Sequence, residues 1–243
     1  FRIRSKDDLY KGASKIDWSS IMDNESTFSI VPVVNSKLFD HSGYPALVVK
    51  DAIADYFRKK TGIRPSVDST SPSILINLHI SNDKVNLSLD SSVVPLFKRG
   101  YRAEQGIAPL NEVLAAGILR LSGWDVSSSL KDPMCGSGTI PVEAGLIACR
   151  IPPGKFRNFF GFSKWKDYDE ELFDKVKKSS DDKIIELPVS ITASDISEQA
   201  VKQAAINIAK AGLSDKITVA VSDFKDVKSV DNNGFLVFNP PYG

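Results

Sequence analysis

The chain has 243 residues, of which 42% are hydrophobic and 25% charged, and its formal net charge at pH 7 is +1. This length is enough for a sizeable core and favours two domains over one. The balanced charge excludes an overall attraction to nucleic acid, so any basic surface must be local. Two cysteines and two histidines are too few for a disulfide framework or a structural zinc site.

We therefore expect a reducing, cytoplasmic setting, with no metal and no disulfide-linked partner. The longest apolar stretch, residues 113–119, is too short to cross a bilayer, so no membrane association is expected. The chain begins at Phe1 rather than at Met and stops at Gly243, which predicts a fragment of a longer polypeptide.

The first half of the sequence predicts a small α+β domain. Residues 29–34 are a β-like apolar run, and residues 46–60 have apolar side chains at helical spacing. Two further β-like runs, 73–80 and 84–90, flank the polar residues 81–83 and predict a hairpin. Nothing in this half is typical of a nucleotide-binding domain.

Strand and helix patterns alternate in the second half. Pro109 is expected to open a helix over residues 113–121, and Gly212 to end one. Strands are predicted at 128–131, 189–193, 217–221 and 234–238, and helices at 139–148 and 197–211. The polar run 177–183 is predicted to be a solvated connection. This alternation indicates a parallel, doubly wound sheet with ligands at the carboxyl ends of its strands.

A glycine-rich turn at residues 132–138, DPMCGSG, follows the first of these strands. Gly136 and Gly138 lack Cβ atoms and so allow backbone to approach a ligand closely. A Gly-x-Gly turn alone is a weak signal, shared with dinucleotide dehydrogenases and with plain tight turns. Asp132 argues against a pyrophosphate, because it would repel one. It favours a ligand with positive charge, such as the amino acid end of S-adenosylmethionine.

Two more acidic residues follow the next two strands. Asp195 can accept hydrogen bonds from both hydroxyls of a ribose, and Asp223 from an adenine amino group, with Phe224 as a stacking surface. Each acid alone is more often a helix or loop cap. Three strand-end acids in succession are a more specific pattern and predict one shared ligand site.

The fourth strand is followed by Asn239-Pro-Pro-Tyr-Gly243. The Asn239 side-chain oxygen and the Pro240 carbonyl can both accept hydrogen bonds from an exocyclic amine of a base, which aims the nitrogen lone pair. Tyr242 can stack on the base, an interaction worth ~1–3 kcal/mol. A simple turn is the alternative. The position behind three acid-ended strands favours amine methylation.

On these motifs the chain resembles the THUMP-domain-containing class I RNA methyltransferases, a family related to the bacterial 23S ribosomal RNA guanine-N2 methyltransferase. Four segments carry the resemblance: KRGYR at 98–102, APLNEVLAA at 108–116, DPMCGSG with Thr139, and NPPYG at 239–243. The resemblance implies a ferredoxin-like piece plus THUMP domain at 1–98 and a linker at 99–108. It also implies a Rossmann-like α/β methyltransferase domain at 109–243, incomplete at its C-terminal side.

By this resemblance the cofactor is S-adenosylmethionine and the substrate is structured RNA, either 23S rRNA or tRNA. The resemblance assigns the cofactor to Asp132, Pro133, Cys135, Gly136, Gly138, Thr139, Asp195, Ile196, Asp223 and Phe224. It assigns the base to Asn239, Pro240, Pro241 and Tyr242. The predicted reaction is methyl transfer to the N2 of guanine. Transfer to adenine N6 in DNA or RNA, and a non-catalytic RNA-binding fragment, are the alternatives.

Two segments are open to two interpretations. Lys98, Arg99 and Arg102 can contact RNA phosphate or simply form a charged linker. Residues 155–166 interleave five aromatic with four basic side chains, which suits a base-stacking platform, although packing onto the domain is favoured. A covalent role for Cys135 is disfavoured, since amine methylation needs no covalent adduct.

Overall fold

A computed structural model describes residues 1–103, 109–227 and 233–240. It divides the chain into two compact units. The first comprises Phe1–Val94 with Phe159–Glu170, and the second comprises Pro95–Asn158 with Glu171–Gly243. Residues 104–108 of the predicted linker, and Pro241 and Tyr242 of the predicted catalytic turn, lie outside the described residues.

The first unit is a four-stranded sheet with two helices. The strand order is β2-β1-β3-β4, in which β1 is parallel to β2 and β3, and β3 and β4 form the antiparallel hairpin expected from the sequence. The elements are α1 (Lys6–Ser14), β1 (Thr27–Asn35), α2 (Gly43–Thr61), β2 (Ser66–Val67), β3 (Ile74–Ser81) and β4 (Lys84–Leu89).

Its core follows the two periodicities of the sequence. On β3, Ile76, Leu78 and Ile80 are buried while His79 between them is exposed, as expected for side chains that alternate across a sheet. On α2, Val49 and Ile53 are buried at a spacing that aligns them on one helix face. These residues pack into a single apolar cluster.

The second unit is built on a fully parallel sheet of order β7-β6-β5-β8. Because β8 lies on the opposite side of β5 from β6, the strand order reverses at β5, which is where ligands bind in open α/β sheets. The elements are α3 (Glu112–Leu121), β5 (Leu130–Asp132), α4 (Thr139–Ala148), α5 (Glu170–Asp181), β6 (Ile191–Asp195), α6 (Glu198–Lys210), β7 (Ile217–Val221) and β8 (Phe235–Leu236).

Two local predictions need correction. Pro109 does not open α3, because the Oδ1 atom of Asn111 accepts the backbone N–H of Leu114 at 3.1 Å and caps a helix that begins at Glu112. The polar run 177–183 is not simply a connection, since α5 continues through Asp181. Its lysines are good helix formers, and an exposed helix tolerates polar residues on every face.

The described helices include none with the length and apolar character needed to cross a membrane. Both cysteines are buried and free.

Candidate active site

A cavity of about 990 Å³ lies in the second unit, at the carboxyl ends of the parallel strands. It brings together side chains that are far apart in sequence and that the sequence analysis had placed in one site. Most of the predicted cofactor and base residues line it: Asp132, Pro133, Cys135, Gly136, Thr139, Asp195, Ile196, Asp223, Phe224, Asn239 and Pro240.

The loop between β5 and α4 forms one wall of this cavity. Gly136 and Gly138 both have positive φ, 52° and 82°. A Cβ atom added at Gly136 would meet nothing within 4 Å, whereas one added at Gly138 would lie 3.1 Å from the Cβ of Ala204 on α6. Gly138 therefore permits close helix packing and is absent from the cavity wall, while Gly136 leaves open space on the cavity side.

Neighbouring elements hold this loop along most of its length. The Cys135 backbone N–H donates to the Ser194 carbonyl, and the Gly136 N–H donates to the Asp195 Oδ2 atom, both at 2.9 Å. The Nδ2 atom of Asn207 donates to the Ser137 carbonyl at 2.9 Å. Hydrogen bonds within the chain thus fix the loop conformation.

Asn207 was missed by sequence reasoning, although a signal for it exists. It is 1% exposed on α6, one residue from the buried Ile208 and three from the buried Ala204. A polar side chain on an apolar helix face must find buried partners, and here the partners belong to the loop.

Asp132 is the most buried acid of the cavity wall, with 1% of its surface exposed. Burial raises the pKa of Asp132 to about 7. The hydrogen bond from the Met134 backbone N–H opposes this rise, whereas the nearby Asp195 carboxylate adds to it. A carboxyl group with so little compensation favours a cationic partner.

Asp195 and Asp223 have capping roles as well as places in the cavity wall. Asp195 accepts the backbone N–H groups of Ser197 and Gly136, each at 2.9 Å. Asp223 accepts that of Lys225 at 2.9 Å. Because an ionised carboxylate has about four acceptor positions, these bonds leave room for further donors from a ligand. The cap and ligand interpretations are therefore compatible.

The charged side chains among the described cavity-lining residues are all carboxylates. The polar remainder includes Gln199 and Gln203, which occupy one face of α6 at a spacing of four residues. Sequence reasoning missed these two glutamines, although their position just after Asp195 on the following helix is a usable signal. Such a wall repels a pyrophosphate and disfavours a dinucleotide ligand.

The structure gives Arg99 and Arg102 partners inside the second unit. The Arg99 Nη2 atom lies 3.3 Å from Glu143 Oε2, and Arg102 Nε lies 2.8 Å from Glu112 Oε1. Both arginine side chains are about nine-tenths buried, so these contacts favour a structural role over RNA phosphate binding. The exposed Lys98 stays a predicted RNA contact.

Burial raises the pKa of Glu143, and the Arg99 guanidinium opposes that rise. The buried Tyr101 hydroxyl completes the group by donating to Glu143 Oε1 at 3.1 Å. Glu143 therefore anchors the segment before α3 to helix α4.

The aromatic segment 155–166 is used for packing. Phe156 packs against the core of the second unit, and Trp165 against that of the first. Phe160 and Phe162 stack on each other with ring centroids 5.2 Å apart. These contacts support the packing interpretation over an RNA-stacking platform. Burial also raises the pKa of the Cys135 thiol, which keeps it protonated and a poor nucleophile.

No cluster of three or more histidine, cysteine or acidic side chains suited to a metal ion occurs within the described ranges. The site is instead a glycine loop and acid-ended parallel strands around one cavity, which is the organisation of a nucleotide-cofactor domain of the doubly wound class.

Comparison with known families identifies the particular one. Residues 4–90 match the THUMP domain family, and residues 99–243 match the family of RMKL-like methyltransferase domains. The chain belongs to this family of THUMP-containing, RMKL-like methyltransferases. The family and the fold class expected from the sequence are thus confirmed.

Relatives are similar along the whole chain. A ribosomal RNA large subunit methyltransferase K/L from Psychromonas ingrahamii is 39% identical over 249 residues, covering 100% of this chain and 33% of the relative. The protein of the same name from a Marinomonas species is 38% identical, covering 100% of this chain and 35% of its own length. The chain therefore spans about a third of the length of these two relatives.

Among solved structures, SMU.472, described as a methyltransferase and crystallised with SAH, superposes with a TM-score of 0.90 at 29% identity. The match covers 100% of this chain and 64% of SMU.472.

Proposed function

We propose that the protein containing this chain transfers a methyl group from S-adenosylmethionine to the exocyclic N2 of a guanine in structured RNA. The observation that carries this proposal is that Asn239 and Pro240 line the same cavity as Asp132, Asp195 and Asp223. Acceptors for an amine and acids for a cationic nucleoside ligand are thereby available in one space.

The cavity residues fit the cofactor in available space and in charge. A volume of about 990 Å³ is at the upper end of the usual range for ligand pockets. Gly136 leaves open space where a side chain would otherwise project. Asp132 supplies negative charge for the amino acid end, Asp195 acceptors for a ribose, and Asp223 with Phe224 a polar and a stacking surface for adenine. When bound, the cofactor supplies an electrophilic methyl group.

The chain itself orients the nucleophile. The Asn239 side-chain oxygen and the Pro240 carbonyl accept hydrogen bonds from the guanine amine and direct its lone pair toward the methyl donor. Most of the acceleration comes from this orientation, and no strong general base is needed. Pro241 and Tyr242, predicted to support and stack on the base, lie outside the described residues and stay predictions.

The substrate assignment is supported by the THUMP match and by the names of the relatives. Proteins 38–39% identical to this chain are named as methyltransferases of the large-subunit ribosomal RNA. We propose 23S rRNA as the substrate, with tRNA as the runner-up, and cytoplasm as the location. A target base inside a helix must be flipped out before its N2 reaches the cavity, at a cost of a few kcal/mol.

Mass spectrometry of nucleosides tests the proposal directly. The full-length protein, rRNA from cells that lack the gene and isotopically labelled S-adenosylmethionine are combined, and the RNA is digested. We expect labelled N2-methylguanosine. Labelled N6-methyladenosine would establish the adenine alternative instead. RNA binding without any binding of S-adenosylhomocysteine would contradict the enzymatic proposal and support the non-catalytic one.

Substitution of Asn239 tests the role of the turn. Asn239→Ala removes the side-chain acceptor, so transfer is expected to fall by about 100-fold or more while affinity for S-adenosylhomocysteine changes by less than about twofold. Asn239→Asp retains acceptor oxygens at the same position and is the matched control, with partial activity expected. Wild-type activity in Asn239→Ala would remove the turn from the mechanism.

A further inference from the structure

Arg102 makes direct side-chain hydrogen bonds to the region proposed to bind the cofactor. A residue that only links two domains does not need such bonds. Its guanidinium donates to Glu112 Oε1 at 2.8 Å, to Ser137 Oγ at 3.2 Å, to Thr139 Oγ1 at 2.9 Å and to the Leu110 carbonyl at 3.0 Å. Four bonds from one side chain that is 10% exposed indicate a fixed orientation.

Arg102 holds the hydroxyls of two residues of the cavity wall, but Arg102 is not itself one of the described wall residues. Ser137 and Thr139 line the cavity, whereas Arg102 is absent from its described lining residues. The hydroxyls flank Gly138, whose φ of 82° turns the chain into α4. Hydroxyl groups rotate freely on their own, and a rigid, planar guanidinium fixes both at once.

The same stretch of loop is fixed from a second direction. Asn207 Oδ1 accepts the backbone N–H of Ala103 at 2.9 Å, and its Nδ2 donates to the Ser137 carbonyl at 2.9 Å. Residues 102 and 103 are therefore connected to the loop by two independent sets of hydrogen bonds. The geometry of the loop at Ser137 therefore depends on the position of residues 102 and 103, and their position depends on the loop.

Charge and shape together explain why the side chain that holds the two hydroxyls is an arginine. Glu112, 6% exposed in its side chain, is paired by Arg102. Without Arg102, this carboxylate would be left buried and uncompensated next to the loop, which is strongly unfavourable. A lysine would supply the charge but not the fork needed to reach both hydroxyls.

We propose that Arg102 is a positioning residue for the cofactor site, shaping the wall at Ser137 and Thr139 so that it accepts S-adenosylmethionine. The inference rests on the proposed function, since it concerns the same cavity. Arg102 acts through the two hydroxyls, because it is not itself among the described residues that line the cavity.

Arg99 offers a matched control three residues away. It is likewise buried, with 11% of its side chain exposed, and is likewise paired with a buried carboxylate, Glu143. Its side-chain hydrogen bonds reach Glu143 and the Leu96 carbonyl, both outside residues 132–139. Loss of Arg99 therefore reproduces the loss of a buried ion pair without removing a bond to the loop.

The experiment compares these arginines in the full-length protein, by calorimetry with S-adenosylhomocysteine and by thermal unfolding. Arg102→Ala and Arg99→Ala are expected to lower the unfolding temperature to a similar extent. Only Arg102→Ala is expected to raise the Kd for S-adenosylhomocysteine, by about tenfold or more. Equal Kd values for the two variants would overturn the proposal.

Arg102→Lys keeps the inference testable if Arg102→Ala does not fold. The lysine retains the charge opposite Glu112, so near-native stability with a severalfold weaker affinity is expected. The double variant Arg102→Lys, Thr139→Val should lose less affinity than the sum of the losses in the two single variants. Both substitutions remove the same contact, the hydrogen bond between Arg102 and Thr139. Wild-type affinity in Arg102→Lys would contradict the proposal. Failure of the unsubstituted protein to bind S-adenosylhomocysteine would instead refute the proposed function.

Discussion

Two aspartates, one in each unit, have pKa values shifted in opposite directions. In the first unit, Asp17 lies at a surface turn, where hydrogen bonds from the Ser19 and Tyr56 side chains lower its pKa to about 2. In the second unit, burial raises the pKa of Asp132 to about 7. The first carboxylate accepts hydrogen bonds from two side chains at the surface, whereas the second is buried and accepts one from the Met134 backbone N–H. A carboxylate of the second kind is suited to a ligand.

The two sheets also differ at the ends of their strands. In the first unit, β1 ends beside the β3–β4 turn, where the Asn35 carbonyl accepts the Asn82 N–H at 2.7 Å. The β3–β4 turn therefore provides a hydrogen-bond partner for the backbone at the end of β1. In the second unit, every described strand is parallel to its neighbours, so no hairpin covers the ends and a cavity remains. The two sheets thus differ in whether a described hairpin turn lies at their strand ends.

The largest effect that we expect to distinguish Asp132 from an aspartate of the first unit is on cofactor binding. Asp132→Asn removes the negative charge and preserves size and the acceptor for the Met134 N–H. We expect its Kd for S-adenosylhomocysteine at pH 8 to rise about tenfold, because a charged hydrogen bond to the ligand ammonium becomes a neutral one. Isothermal calorimetry on the full-length protein measures this.

Asp68→Asn in the first unit is the matched control. Asp68 also accepts backbone N–H groups, from Thr70 at 2.8 Å and Ser71 at 3.0 Å. Its substitution should leave the Kd unchanged. An unchanged Kd in Asp132→Asn as well would mean that the two aspartates do not differ in function.

The pH dependence of binding is the next largest effect. Because the pKa of Asp132 is raised to about 7, a cationic ligand that pairs with the carboxylate must displace its proton at pH 6. Affinity for S-adenosylhomocysteine should therefore rise severalfold from pH 6 to pH 8, and this rise should disappear in Asp132→Asn. A pH-independent wild-type affinity would exclude ionisation of Asp132 as part of binding.

Stability has the opposite pH dependence for the two residues. Between the usual aspartate pKa of 3.8 and about 7, folded Asp132 retains a proton that the unfolded chain has lost, so its contribution to the free energy of unfolding falls as pH rises. For Asp17, the pKa is lowered instead, so its contribution is present above pH 3.8 and is lost as pH falls toward 2.

The sequence predicted the elements around the site well because each has strong local signals. Residues 139–148 and 217–221 were expected as a helix and a strand, and the structure has α4 and β7 at these bounds. A glycine-rich turn precedes the helix, and the strand is an apolar run followed by an acidic residue. Both elements are therefore specified by nearby residues. The shared site followed from the predicted parallel pairing and the acids after the strands, since parallel strands end at the same edge.

What the sequence could not provide depends on contacts between distant residues. The hydrogen bond from Ala103 to Asn207 spans 104 positions, and Arg99 and Glu143 are 44 apart. Neither pairing has a local pattern. Phe159–Glu170 likewise joins the first unit although it is embedded in the sequence of the second. Its aromatic residues were rightly expected to pack, but composition does not say against which core.

The smallest expected effect distinguishes two glycines, one in each unit. Gly62 ends α2 with φ 78°, and Gly138 precedes α4 with φ 82°. Alanine at either position costs about 1–2 kcal/mol for the left-handed conformation. Only at Gly138 would the new Cβ atom also press on a neighbour, Ala204, at 3.1 Å, whereas at Gly62 it meets nothing within 4 Å. We therefore expect Gly138→Ala to be the more destabilising by about 1 kcal/mol.

Hydrogen–deuterium exchange read by mass spectrometry suits this comparison, because it reports the opening of each unit separately. Amides of α4 and α6 should lose more protection in Gly138→Ala than amides of α2 lose in Gly62→Ala. Equal losses would mean that α6 can move away from the loop at no cost. That result would also weaken the view of the loop as preorganised, because Asn207 fixes Ser137 from the same helix that carries Ala204.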